Sequence, residues 1–127
     1  MGMPVRMPEE EFKGDSIISY LVEKLGVSNT MLAALLEVTE RTVSNWRNES
    51  EEELRGNGKS QRLMALYAFV VKAEKKKVPQ RLMINLLQEP IDESNEESNS
   101  PLFYIVNEPK GLFFGDAANL LIDKFLK

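Results

Sequence analysis

LAALLEVTERTVSNW, residues 32–46, places small, apolar and polar residues at the spacings that two short, steeply crossing helices require. The small residue at the expected crossing point is Ala33. Leu36 and Val38 are apolar residues that would close the corner, and Thr39 has the short polar side chain of an N-cap for the second helix. These residue types at these spacings predict a helix-turn-helix.

The second helix of this predicted unit has an inward and an outward side. Val43 follows Ala33 by ten residues, where a core-facing aliphatic residue is expected, and Trp46 lies about one turn later on the same side. Short hydrogen-bonding side chains and arginines remain for the outward side, and such groups contact base edges and phosphates. The sequence therefore predicts a surface for double-stranded DNA, formed by Asn29, Thr39, Glu40, Arg41, Ser44, Asn45, Arg47 and Asn48.

The turn of this unit departs from the usual pattern at one position. A glycine commonly stands four residues after the small residue, because the backbone there needs a positive φ. This chain has Glu37 at that position. We therefore expect either a strained turn or a variant of its geometry.

Charge and composition narrow the class of function. The 127 residues carry a formal net charge of −4, yet residues 59–81 are rich in lysine and arginine, which allows either a positive patch or a solvated lysine face. Cysteine and histidine are absent, so disulfides, thiolate metal sites and the commonest general base are excluded. Neither a phosphate-binding glycine-rich loop nor metal-ligand spacing is present. We expect no enzyme, no catalytic residue, no metal and no cofactor.

Apolar residues recur at helical spacing almost throughout the chain, which predicts an all-α fold. We expect a flexible arm at 1–14, an N-terminal helix-turn-helix bundle at 15–78 and a small helical C-terminal domain at 79–127. Polar composition predicts loops at 49–58 and 91–100. In the last helix, at 116–126, the residues expected to face the core are Ala117, Leu120, Leu121 and Phe125.

The sequence also predicts where the protein resides. Its apolar runs are too short to span a bilayer, and its first residues lack the pattern of a signal peptide. We therefore expect a cytoplasmic protein that does not contact a membrane.

Residues 32–48, LAALLEVTERTVSNWRN, resemble the Xre-type, phage-repressor-like helix-turn-helix. Further along the chain come an apolar pair before Pro90, an acidic Asn-rich loop, the sequence Ser-Pro-Leu at 100–102, a glycine at Gly111 and a closing helix. With these features in this order, the chain resembles the Xre/MbcA/ParS-type antitoxins over residues 15–127.

That resemblance implies a function for each half of the chain. Antitoxins of this type neutralise, through their C-terminal domain, a toxin whose RES domain consumes NAD⁺, and they repress their own operon through the helix-turn-helix. The expected partners are operator DNA, a RES-type protein toxin and a second copy of the chain in a homodimer. The residues expected to contact a protein partner are Ser100, Pro101, Leu102, Tyr104, Lys124 and Lys127.

Two alternatives remain open at this point. Five of the chain's ten aromatic residues lie in its last quarter, where they form either the core of an interface or the core of the domain itself. The helix-turn-helix can likewise be a scaffold in a protein-interaction module that does not bind DNA.

Overall fold

The computed structural model describes residues 14–56, 58–90, 100–107, 109 and 116–126. These residues contain helices and no strand, which confirms the predicted all-α class. The predicted arm before Gly14, the loop at 91–99, the turn at Gly111 and the terminal Lys127 lie outside the described residues. The helices are α1 (Gly14–Leu25), α2 (Asn29–Leu35), α3 (Glu40–Trp46), α4 (Glu51–Gly56), α5 (Ser60–Lys75), α6 (Gln80–Gln88), α7 (Pro101–Asn107) and α8 (Asp116–Phe125).

Both helices of the predicted unit begin at capping residues. Ser28 Oγ accepts a hydrogen bond from the backbone N–H of Met31 over 3.1 Å, and Thr39 Oγ1 accepts one from Thr42 over 3.1 Å. Each bond satisfies a backbone donor that the first helical turn leaves free. Thr39 therefore starts α3 where the sequence predicts, and Ser28 starts α2 in the same way.

Three corners of the chain share one local design. Just beyond α1, α2 and α5 one residue has a positive φ. It is Gly26 (67°), directly after α1, and Glu37 (56°) and Lys77 (65°), which stand two positions after the last residues of α2 and α5. A valine follows in each case, and its N–H donates to a carbonyl five residues earlier, as Val38 does to Ala33 over 2.9 Å. This is a Schellman helix ending. The expected strain in the turn is therefore present at Glu37, because only glycine adopts this backbone region without steric penalty.

The prediction of a loop at 49–58 is wrong, because Glu51–Gly56 form α4. Ser50 and Glu53 cap it reciprocally: Ser50 Oγ accepts from the Glu53 N–H over 3.1 Å, and Glu53 Oε1 accepts from the Ser50 N–H over 2.9 Å. Leu54 is fully buried, and the hydroxyl of the buried Ser60 donates to its carbonyl. The polar composition of this segment predicted a loop, although the segment contains a capping box, Ser50 and Glu53, followed by one core residue, Leu54.

One prediction for the last helix is also wrong. The side chain of Leu120 is 69% exposed, whereas Leu121 and its neighbour Ile122 are buried. Phe125 is half-buried as part of the same packing, and the side chain of Ala117 lies outside the described part of the chain. The buried stripe of α8 therefore runs through Ala118, Leu121 and Ile122.

A single hydrophobic core joins the helices. The buried residues form one cluster that extends from Ile17 on α1 to Ile122 on α8. Within it α1 packs on α3, α5 and α6, and α5 also packs on α4, α7 and α8. Side chains from both predicted domains thus share one interior. In the described part of the chain, no helix is both long and apolar enough to cross a membrane.

The start of α1 is docked against the end of α3. Gly14 N–H donates to the carbonyl of Glu49 over 2.8 Å, and Asp15 N–H donates to that of Arg47 over 3.0 Å. A Cβ added at Gly14 would lie 1.7 Å from the carbonyl oxygen of Trp46. Gly14 therefore belongs to the helical fold rather than to the predicted arm, and only glycine fits there.

A polar cluster ties α1 to α5. Tyr20 donates to Glu74 over 3.2 Å, Lys24 forms an ion pair with the same carboxylate, and the Tyr20 ring meets Tyr67 edge-on. Burial, with the charge of Glu74 as a smaller cause, raises the pKa of Tyr20 to about 12. The hydrogen bond from Lys24 lowers the pKa of Glu74. These contacts fix the position of α1, on which α3 rests.

Candidate nucleic-acid interface

Five of the eight predicted DNA-binding residues line a groove between the start of α2 and the outward side of α3. The other three, Thr39, Asn45 and Asn48, are exposed but are not among its lining residues. The groove has a volume of about 370 Å³. Its lining residues are Asn29, Glu40, Arg41, Val43, Ser44 and Arg47. Residues that lie up to 18 positions apart in the sequence therefore come together on one surface.

α3 has the two sides that the sequence predicts. Val43 and Trp46 are buried, at 1% and 2% exposure, and they fasten the helix to the core. The outward side is exposed and consists of hydrogen-bonding and charged residues, namely Glu40, Arg41, Ser44 and Asn45, with Asn48 exposed just beyond the helix. The helix can thus present polar groups without giving up its packing.

Arg47 is held within the protein rather than directed into solvent. Its Nη1 donates to Asp15 Oδ1 over 2.6 Å and approaches Ser19 Oγ at 3.4 Å, while its Nη2 donates to Asn29 Oδ1 over 2.8 Å. The guanidinium therefore joins the end of α3 to both α1 and α2. Arg47 thus holds these three helices together, and it also lines the groove.

The bond from Arg47 fixes the orientation of the Asn29 amide. A guanidinium only donates, so Asn29 must turn its Oδ1 toward Arg47, as observed. The amide nitrogen, which carries two donors, is then turned away from the guanidinium. Asn29 is in this way prepared to donate a hydrogen bond to an anionic group at the groove.

Glu40 and Thr39 are also engaged. Thr30 Oγ1 donates to Glu40 Oε1 over 2.7 Å, and Thr39 Oγ1 lies 2.9 Å from Thr42 Oγ1 in addition to capping α3. The side chain of Thr39 is thus used to cap α3. Thr30 was missed in the sequence, because nothing in its spacing shows that α2 brings it to the first residue of α3.

Arg62 stabilises the turn between α2 and α3. This half-buried residue of α5 donates from Nη1 to the carbonyls of Leu36, over 2.9 Å, and Glu37, over 3.3 Å. A cation at these carbonyls satisfies acceptors that the end of α2 leaves free and complements the negative end of the helix. Arg62 lies in the basic stretch at 59–81, but its position in the sequence did not indicate this contact.

The residues expected to bind a protein partner differ in their exposure to solvent. Ser100 Oγ accepts from the Phe103 N–H over 3.3 Å and so caps α7, Pro101 is buried, and Leu102 and Tyr104 are half-buried. Lys124 is exposed and lines a second groove, of about 300 Å³, with Glu89, Leu121 and Phe125. Ser100 therefore caps α7, Pro101 is its buried first residue, and Lys124 lies at the surface.

The described ranges contain no group of three or more acidic side chains arranged to hold a metal ion. No family model, no curated protein and no solved structure matches the chain.

Proposed function

We propose that the chain is a sequence-specific DNA-binding regulator in which α2 and α3 act as a helix-turn-helix. The observation that supports it most directly is the division of α3 into a buried side and an exposed polar side. Arg41 and Asn45 stand one helical turn apart on the exposed side. A helix anchored in this way can enter the major groove of DNA with its polar side toward the bases.

The exposed residues have distinct roles in this proposal. Arg41 binds a guanine and Asn45 an adenine, since their side chains suit the paired donors and acceptors of those bases. Asn29 and Ser44 donate to phosphate oxygens beside the groove and fix the position of the protein on the duplex. In a homodimer the two copies of α3 would read half-sites about 34–36 Å apart.

The resemblance to Xre/MbcA/ParS-type antitoxins extends the proposal to a protein partner. In that role the regulator controls its own operon and blocks a RES-type toxin with its C-terminal helices. The exposure of Phe103 and Leu120, at 38% and 69%, supports a contact surface on α7 and α8. A RES-type toxin gene beside the gene for this chain would strengthen this part of the proposal.

A gel-shift titration with DNA from upstream of the chain's own gene tests the DNA-binding function. We expect Arg41→Ala and Asn45→Ala each to weaken operator binding by about 1–3 kcal/mol without unfolding the protein, because both side chains are exposed. The titration is repeated at several salt concentrations, since phosphate contacts alone give binding that depends on salt but not on sequence.

Two controls accompany that titration. Lys75→Ala removes an exposed cation near the far end of α5, about 20 Å along the helix from Arg62, and should not change operator preference. Val43→Asp should unfold the protein, since it places a charge in the core. Absence of a sequence-specific shift by the wild-type protein, even at low salt, would contradict the proposal and favour a protein-interaction module.

A further inference from the structure

Glu40 and Thr30 form a hydrogen-bonded pair on the candidate surface. Neither residue has a role in the proposed contacts to bases and phosphates. Glu40 is the first residue of α3 and is exposed, and Thr30 on α2 donates to its Oε1 over 2.7 Å. The bond restrains a side chain that otherwise has many rotamers. A carboxylate has about four lone-pair sites, so it can accept further hydrogen bonds while Thr30 occupies one.

A carboxylate fixed in the major groove distinguishes bases because it only accepts. Cytosine presents its N4 amino donor there, whereas guanine presents the acceptors N7 and O6. Adenine places the acceptor N7 beside its N6 donor, and thymine offers an acceptor and a methyl group. Cytosine is therefore the base that a fixed carboxylate favours most.

Resting on the proposed DNA-binding function, we infer that Glu40 is a specificity-determining residue that selects a cytosine in the operator, and that Thr30 is the residue that positions it. The first residues of a recognition helix are those that contact base edges, and Glu40 stands at that place. Arg41 follows it and is exposed, and arginine favours guanine. The preferred duplex has C·G pairs where the start of α3 meets it.

Glu40 also discriminates by repulsion. Its charge disfavours close approach to phosphates and to guanine O6, so binding to unrelated sequences is weakened more than binding to a site with the right cytosine. This accounts for an acidic residue among those that line the proposed DNA-binding surface. If the Thr30–Glu40 bond only held α2 against α3, its loss would change stability and leave base preference unaltered.

Selection from a library of randomised duplexes tests the assignment with wild type, Glu40→Gln, Thr30→Val and a control, Glu37→Gln. Glutamine keeps the shape of glutamate but pairs with adenine N6 and N7, so Glu40→Gln should replace cytosine by adenine at one motif position, with a change in relative preference of about tenfold. Thr30→Val should keep the cytosine but weaken the preference for it. Thermal unfolding of each variant shows that the fold is retained.

The control removes an equal charge nearby. Glu37 is exposed in the turn before α3, and Glu37→Gln should leave the recovered motif unchanged. A motif unaffected by Glu40→Gln would overturn the role of Glu40 while the proposed function stands. An unweakened cytosine preference in Thr30→Val would overturn the positioning role alone. If the wild-type protein enriches no motif at all, the proposed function itself fails, and the role of Glu40 fails with it.

Discussion

Gly14 lies where α1 touches the end of α3, and the fold depends on the absence of a side chain there. A Cβ at this position would be 1.7 Å from the backbone carbonyl of Trp46, and a backbone atom cannot move aside as a flexible side chain can. We expect Gly14→Ala to lower the free energy of unfolding by at least about 3 kcal/mol, measured by urea denaturation.

Gly56 provides the matched control for that substitution. A Cβ added there meets nothing within 4 Å, and Gly56 ends α4 without a positive φ. Gly56→Ala should leave stability unchanged or raise it by at most about 1 kcal/mol. Equal effects of the two substitutions would mean that α1 can withdraw from α3 at little energetic cost.

The sequence identified residues whose role is local and missed those whose role depends on a distant partner. Thr39 and Val43 were predicted from spacing, because capping and periodic burial are properties of one helix. Thr30, Arg62 and Gly14 contact residues 10, 26 and 32 positions away. Their roles need the packing of the helices, which the local pattern does not specify.

At the scale of the elements, the corner between α2 and α3 uses a backbone region that suits glycine, although its residue is Glu37. A side chain in this backbone conformation lowers the stability of the fold by about 1–2 kcal/mol. Glycine avoids this steric cost, but part of its advantage is offset because glycine has more conformational freedom in the unfolded chain. We expect Glu37→Gly to raise the free energy of unfolding by about 1 kcal/mol, measured by denaturant titration.

Glu37→Ala separates the backbone from the side chain in that experiment. It removes the same carboxylate but keeps a Cβ, so the steric penalty at a φ of 56° remains. The carbonyl of Glu37, which accepts from Arg62, is unaffected by either change. A stabilisation by Glu37→Ala as large as that by Glu37→Gly would show that charge, and not backbone strain, limits the turn.

The sequence predicted where an apolar helix starts better than it predicted whether a polar segment forms a helix. The cap at Thr39 marks the start of α3 as expected. α4 was missed because its sequence, EEELRG, has a single apolar side chain, Leu54, so no apolar periodicity was there to be seen. The reciprocal pair Ser50 and Glu53 was the available signal.

For the whole molecule, the shared core predicts that both halves unfold together. Ile122 on α8 is fully buried in the cluster that contains Trp46, the only tryptophan. Ile122→Ala should lower the free energy of unfolding by about 2–5 kcal/mol. The midpoint should fall equally by Trp46 fluorescence and by far-ultraviolet circular dichroism, since coincident transitions indicate one cooperative unit.

Leu120→Ala is the control in the same helix, because that side chain is 69% exposed; it should change stability by no more than about 0.5 kcal/mol. If Ile122→Ala left the fluorescence midpoint unchanged, the segments at 15–78 and 79–127 would unfold separately, as the sequence-based division suggests. Periodicity showed the buried side of α3, but it placed Leu120 of α8 in the core wrongly. It does not show which helices share an interior.

The attachment of α1 also determines what lies near the proposed DNA surface. Residues 1–13 are joined covalently to Gly14, whose N–H is bonded to Glu49 just beyond α3. A fluorophore or affinity tag added before α1 is thus tethered beside that surface, and a short tether gives it a high effective concentration there. Labels for binding measurements are therefore better attached after α8. That helix packs on α5, and its Asp123 forms an ion pair with Lys76, just beyond the end of α5 that is far from Arg62.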